Sequence, residues 1–224
     1  MMLRGVFVTG TDTGVGKTVV SAALLSRYRD EAVVRYWKPI QTGVEQDDDT
    51  AEVQRLSGAS DARVLKSGVR LPRPVSPHLA ARLSDFTIFL PPLVTQLQAD
   101  AGRTAWIVEG AGGVMVPLNE SETMADLMTS LGLPVVVAAR SGLGTINHTL
   151  LTVEALRRRS LPVAGVVLVG PPDHENRLAI ERYGRVAVLG QMPIFDPLTR
   201  EALSAWADAE LDEQRQLVSF LRTP

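Results

Sequence analysis

The segment Gly10 to Thr18 reads GTDTGVGKT and joins an apolar, strand-like run, Val6 to Thr9, to a run of helical period, Val19 to Arg29. In that setting glycines let successive backbone N–H groups turn inward around an anion, while the helix N-terminus adds unpaired donors and the positive end of its dipole. Lys17 supplies a mobile charge and Thr18 a hydroxyl suited to magnesium. Thr13, Gly14, Val15, Gly16, Lys17, Thr18 and Val19 are therefore expected to hold the phosphates of a nucleoside triphosphate. The usual pattern has its first glycine five positions before Gly16, where Thr11 stands; here the glycine comes one residue earlier, at Gly10. The loop identifies a nucleotide site without identifying a reaction.

The rest of the chain continues the alternation. Apolar runs at Val33 to Trp37, Ala105 to Val108, Val135 to Ala139, Ala164 to Val169 and Val186 to Leu189 read as strands. Thr123 to Leu131, Ile146 to Arg159, Asn176 to Arg185 and, last, Leu211 to Leu221 read as helices. Strands that are apolar throughout belong to a parallel sheet covered on both faces. The expectation is a three-layer α/β fold, mainly parallel, with its site at the carboxyl ends of the strands. The segment from Val44 to about Arg103 is less regular, which suits an insertion around the site or a lid within one domain spanning 1–224.

Composition limits the function. With 224 residues, 45% of them hydrophobic, the chain can bury one sizeable core, and a net charge of −2 supplies no basic field for nucleic acid or an anionic membrane. No cysteine is present, so thiolate chemistry is excluded. No run is long enough to span a bilayer, and a soluble cytoplasmic protein is expected.

Other residues cluster where such a site would lie. Lys38 leaves a strand at the carboxyl edge beside Lys17, so two ammonium groups can converge on a transferring phosphoryl group; a solvated lysine before a proline-led turn is the alternative. Thr42 follows on the same turn. Asp47, Asp48 and Asp49 precede a helical stretch, where caps are the ordinary role and a magnesium contact the other. Glu109 ends an apolar strand and needs a cation, either magnesium near Thr18 or a basic side chain. Gly112, in the glycines after it, allows a ligand close to the backbone. Gly144, Thr145, Ile146 and Asn147 open a helix, with Thr145 as its expected N-cap and free N–H groups for an anion. The histidines have no metal-ligand spacing, and Arg157 to Arg159 are expected to neutralise a helix end. Asp12 stands where partitioning and electron-transfer ATPases of similar fold carry an additional lysine.

Together these pieces resemble one family, the dethiobiotin synthetases of the P-loop NTPase superfamily. The resemblance is carried by Gly10 to Thr18, Lys38-Pro39 with Thr42-Gly43, Ser76 to Ala81, Val108 to Gly113 and Gly144 to His148, in that order. It covers most of the chain to about Leu168. It implies a homodimer that joins carbon dioxide to 7,8-diaminononanoate, phosphorylates the carbamate with ATP and closes a cyclic urea. It further implies that Lys17 and Lys38 handle phosphate and carbamate, and that Thr13 and Thr42 line the diamine site. Thr18, Asp49 and Glu109 match magnesium ligands, and Gly144 to Asn147 match a helix start that receives the substrate carboxylate across the dimer interface. The chain departs from some relatives at Gly14, where they have glutamate, and at Val169-Gly170, where an asparagine reads adenine. Gly170 is thus expected beside a base held without a side-chain amide. Tyr183 is either a substrate contact from the second subunit or a surface aromatic. Rival readings are a related P-loop ligase, such as a cobyrinate amidating synthetase, and a P-loop switch ATPase.

Overall fold

A computed structural model describes residues 3–30, 33–99 and 104–222, so the last four positions of the 44–103 segment lie outside it. The chain runs β1 (Arg4–Gly10), α1 (Lys17–Arg27), β2 (Val34–Trp37), β3 (Ile40–Thr42), α2 (Asp49–Ser57), β4 (Val64–Leu65), β5 (Val69–Leu71), α3 (Pro77–Arg82) and α4 (Leu90–Gln98). It continues as β6 (Ala105–Gly113), α5 (Met124–Leu131), β7 (Val135–Arg140), α6 (Thr145–Arg158), β8 (Val163–Val169), α7 (His174–Gly184), β9 (Val188–Met192), α8 (Arg200–Glu210) and α9 (Val218–Leu221). Seven strands form one parallel sheet in the order β4-β2-β6-β1-β7-β8-β9, while β3 and β5 pair separately. The expected α/β architecture is the one found.

Alternation along the strands explains the three layers. In β1, Val6 and Val8 pack with Val20 and Leu24 of α1 and Leu203 of α8, whereas Phe7 packs on the opposite face with Met128 of α5 and Val153 of α6. All of these side chains are buried, and each aliphatic one contributes about 1.5–3 kcal/mol on leaving water. The chain places β6 and β2 on one side of β1 and β7 to β9 on the other, so the strand order reverses at β1. That switch point is where an α/β sheet opens a crevice beyond its carboxyl ends.

Several expectations are corrected. The final helix is not Leu211 to Leu221: α8 starts at Arg200, where the Thr199 side chain accepts a hydrogen bond from the Ala202 N–H, and only Val218–Leu221 is helical in the expected range. Asp212 and Arg215 have positive φ angles of 49° and 54°, which stop a helix there. Leu211, Leu217 and Leu221 are buried along a turn, and their spacing imitates a helical face. The last strand begins two residues later than expected, at Val188. Glu109 lies inside the nine-residue β6 rather than at a strand's end. The segment expected to be less regular contains α2, α3 and α4 together with β4 and β5.

Candidate functional site

The phosphate loop is shaped by close contact. A Cβ on Gly10 would lie 2.7 Å from Val15 Cγ2 and 2.8 Å from the Asp12 carbonyl, so the displaced glycine is required where the loop folds over itself. Gly16 has φ 91° and is the N-cap of α1, with no side chain to occupy the anion site. The loop is tied to β7: Thr11 N–H donates to the Ala138 carbonyl at 3.0 Å, and Arg140 Nη2 donates to the Thr13 carbonyl at 3.3 Å. Lys17 Nζ donates to the Asp12 carbonyl at 3.0 Å. Burial, followed by the neighbouring Lys38 charge, lowers the pKa of Lys17 to about 8, against a weaker opposite pull from Glu109, Asp49 and Asp12.

Beside the loop is a buried charge cluster. The parallel register pairs Trp37 with Val108, which sets Lys38, one residue past β2, and Glu109 of β6 on one face. Lys38 Nζ lies 2.7 Å from Glu109 Oε1 and 2.7 Å from Asp49 Oδ2. Thr18 Oγ1 is 3.0 Å from both Asp49 Oδ1 and Glu109 Oε1. Tyr36 donates its hydroxyl to Glu109 Oε2 at 2.9 Å. Burial pushes the Lys38 pKa down, but Glu109 and Asp49 outweigh it and the net shift is upward. Burial raises Asp49, yet the Lys38 ammonium and the Thr18 hydroxyl bring its carboxyl below the ordinary value. Lys38 is further held from the backbone side, where Arg70 Nη1 donates to its carbonyl at 2.9 Å.

A cleft of about 650 Å³ collects these groups. Of the expected residues, Thr13, Gly14, Gly16, Lys17, Thr18, Val19, Lys38, Thr42, Asp49, Glu109 and Gly112 line it. Val15 is buried beneath the loop and does not. Gly170 and the segment Gly144 to Asn147 also lie off the cleft wall. The cap expected at Thr145 is corrected: Gly144 is the N-cap, at φ 92°, while Thr145 is the first helical residue, buried with its hydroxyl 3.4 Å from that of Thr149. In the acidic run Asp48 is the cap, accepting from the Ala51 N–H, and Asp49 turns into the cleft.

Pro74, Val75, Ser76 and Pro77 also line the cleft, together with Ala111 and Val116. Ser76, Pro77 and Ala111 belong to motifs carried only by resemblance, and Pro74, Val75 and Val116 have no local chemical signal. Tyr36 and Arg70 were not expected at the site. For Tyr36 the signal available was its place two residues before Lys38, on the same strand face. Arg157, expected at a helix end, does cap one, but that of α7, donating to the carbonyls of Gly184 and Arg185.

The oxygen donors fit magnesium in kind, since a hydroxyl and two carboxylates are hard ligands. Among the described residues no three His, Cys, Asp or Glu side chains gather as a metal group. Thr18, Asp49 and Glu109 offer three oxygen-bearing side chains within hydrogen-bond reach of one another through Thr18, fewer than a six-coordinate cation takes. Among the described residues no helix is long and apolar enough to cross a membrane.

A family model described as an AAA domain matches residues 4–202. The ATP-dependent dethiobiotin synthetase BioD of Paramagnetospirillum magneticum is 50% identical over 202 residues, covering 90% of this chain and 94% of that protein. Its counterpart from Agrobacterium fabrum is 44% identical over 229 residues, with both chains covered over 100% of their length. The biotin biosynthesis bifunctional protein BioCD of Bordetella avium is 48% identical over 205 residues, and there the chain spans only 42% of the longer protein. Among solved structures, a ParA family ATPase from Chlorobium tepidum superposes with a TM-score of 0.59 at 12% identity, covering 97% of each chain. The septum site-determining protein MinD of Pyrococcus horikoshii, complexed with Mg-ADP, gives 0.57 at 16% identity, covering 98% of this chain and 94% of that one. These last two likenesses concern the fold.

Proposed function

Since the chain belongs to the ATP-dependent dethiobiotin synthetase family, we propose that its cleft closes the ureido ring of dethiobiotin from 7,8-diaminononanoate, carbon dioxide and ATP. The observation that carries this reading is the convergence of Lys17, Thr18, Lys38, Asp49 and Glu109 on one cleft with a second, more apolar wall at Pro74 to Pro77. The reaction is a cyclo-ligation. One amine of the substrate adds to carbon dioxide and loses a proton, giving a carbamate. A carbamate oxygen attacks the γ-phosphorus and ADP leaves, forming a carbamic-phosphoric anhydride. The second amine then attacks the carbonyl carbon, and phosphate departs as the ring closes.

The residues divide these tasks. Lys17 exchanges its bond to the Asp12 carbonyl for phosphoryl oxygens. Lys38 follows the carbamate and the transferring phosphoryl group, spreading charge that develops in the transition state. Thr13 and Thr42 donate to the diamine end, and Gly112 lets the substrate lie against backbone. A bound magnesium ion, held by Thr18, Asp49 and Glu109, would neutralise charge on the β- and γ-phosphoryl oxygens. The nucleotide also contacts Gly14 to Val19 and passes near Gly170.

In this reading the enzyme is a homodimer working in the cytoplasm, and the start of α6 at Gly144 to Asn147 receives the substrate carboxylate of the other copy. Support comes from the off-cleft position of that helix start and from Leu143, Met115 and Leu151 nearby, which expose 108%, 58% and 57% of their surface. The test is reconstitution: purified protein with the diamine, bicarbonate, magnesium and ATP should yield the cyclic urea by mass spectrometry. ATP turnover indifferent to the diamine would refute the reading.

A further inference from the structure

We infer that Tyr36 is a positioning residue for Glu109, fixing one edge of that carboxylate so that the other is presented to Thr18 and to the nucleotide-bound cation. The inference rests on the reading of Thr18, Asp49 and Glu109 as cation ligands, and it assigns to the core side of the site a residue outside the cleft wall.

Glu109 has no exposed surface, and a carboxylate in the interior needs donors on both oxygens. The donors are divided by direction. Oε1 accepts from Lys38 Nζ at 2.7 Å and lies 3.0 Å from Thr18 Oγ1, whose single proton is contested by Asp49 Oδ1 at the same distance; Lys38 and Thr18 both line the cleft. Oε2 accepts from the Tyr36 hydroxyl at 2.9 Å. Tyr36 is itself fully buried, in the cluster that holds Ile107, Val8 and Val20, so its ring has no freedom to follow the carboxylate. Register explains the reach. Tyr36 of β2 is level with Ile107 of β6, on the face that Glu109 shares two residues further on, so the phenol needs only to extend along the strand.

The donor is a permanent one. A phenol is protonated in the neutral range and offers Oε2 a single O–H. Removing that hydroxyl leaves Oε2 facing apolar side chains without a partner. The carboxylate then turns to recover one, and the oxygen aimed at Thr18 turns with it. Groups that orient a metal-ligating carboxylate are worth about 10–100-fold in metal affinity.

The test measures Mn²⁺ binding to the protein–ADP complex by electron paramagnetic resonance for wild type, Tyr36→Phe, Glu109→Gln and the double variant, with ADP affinity in EDTA measured alongside. Tyr36→Phe should weaken Mn²⁺ by about tenfold or more while leaving cation-free ADP affinity unchanged, and should add nothing in the Glu109→Gln background. If Glu109→Gln weakens Mn²⁺ but Tyr36→Phe does not, or if Tyr36→Phe costs as much again in the double variant, the inference fails alone. If neither variant changes Mn²⁺ affinity, the cation reading fails and the inference falls with it. Should Tyr36→Phe not fold, wild-type protein carrying 3-fluorotyrosine at its three tyrosines answers the same question by ¹⁹F resonance. The Tyr36 line, assigned by elimination with Tyr28→Phe and Tyr183→Phe, should move when Mg²⁺ joins the ADP complex, and a stationary line overturns the inference.

Discussion

Lys38 Nζ lies 2.7 Å from Glu109 Oε1, with 4% and 0% of their side chains exposed. A pair so far out of water is costly to break, because the partner left behind is an unneutralised buried charge. Lys38→Ala should therefore lower stability by about 3–5 kcal/mol in the absence of ligands. Magnesium-nucleotide should restore more of the melting temperature in the variant than in wild type, since it returns a cation to Glu109 and Asp49.

The two lysines should separate kinetically. Lys38→Ala is expected to reduce kcat by about 10²–10³-fold, the cost of removing one transition-state donor, while retaining nucleotide affinity better than Lys17→Ala does. Isothermal calorimetry with ADP alongside steady-state rates checks this, and equal losses of nucleotide affinity would remove the distinction.

Nucleotide affinity should depend on pH through Lys17. Its pKa of about 8 in the free protein means that the ammonium which meets phosphate is increasingly neutral above that pH. A phosphate contact favours the charged form, so binding must take up protons between the free and bound pKa values. ADP affinity measured from pH 7 to pH 9.5 in the Lys17 wild type should fall as pH rises through 8, with proton uptake visible as a buffer-dependent heat. Lys17→Arg should flatten that dependence.

Base selectivity should be loose. A Cβ at Gly170 would sit 2.3 Å from Ser141 Oγ, and the φ of 133° there suits only glycine, so this strand end has no room for an amide side chain. The nearby amides are engaged: Asn176 Nδ2 donates to the Ser141 carbonyl, and Gln191 Oε1 accepts from the Asp173 N–H. Turnover with ATP, CTP and GTP should agree within about tenfold, which is less than 1.4 kcal/mol of discrimination. A much stronger preference for ATP would show that backbone or shape reads the base.

Pairing of two copies should be needed for the diamine. Leu151→Arg on the exposed side of α6 is expected to shift the protein to monomer by light scattering and to raise KM for the diamine, with ADP affinity unchanged. A variant that stays dimeric, or a monomer with unchanged KM, would remove α6 from the substrate site.

How much of this was legible in sequence follows from how local each signal is. Gly10 to Thr18 announces itself because glycine, lysine and threonine at those intervals serve one kind of ligand. Lys38 and Glu109 stand out because a charge at the end of an apolar run has few uses, but only the strand register shows that each is the other's partner. Tyr36 does not, because a tyrosine in such a run looks like core until cross-strand register shows where its hydroxyl reaches. The walls at Pro74, Val75 and Val116 are set by tertiary packing alone. Leu211, Leu217 and Leu221 misled for the opposite reason: their spacing imitates a helical face, while the left-handed Asp212 and Arg215 between them form a turn.

The central claim is that a carbamate oxygen, and not water, attacks the γ-phosphorus. A single turnover with ¹⁸O-labelled bicarbonate, the diamine, magnesium and ATP should release phosphate carrying one ¹⁸O atom for each ring closed. Unlabelled phosphate, released whether or not the diamine is present, would mean that this cleft hydrolyses nucleotide and closes no ring.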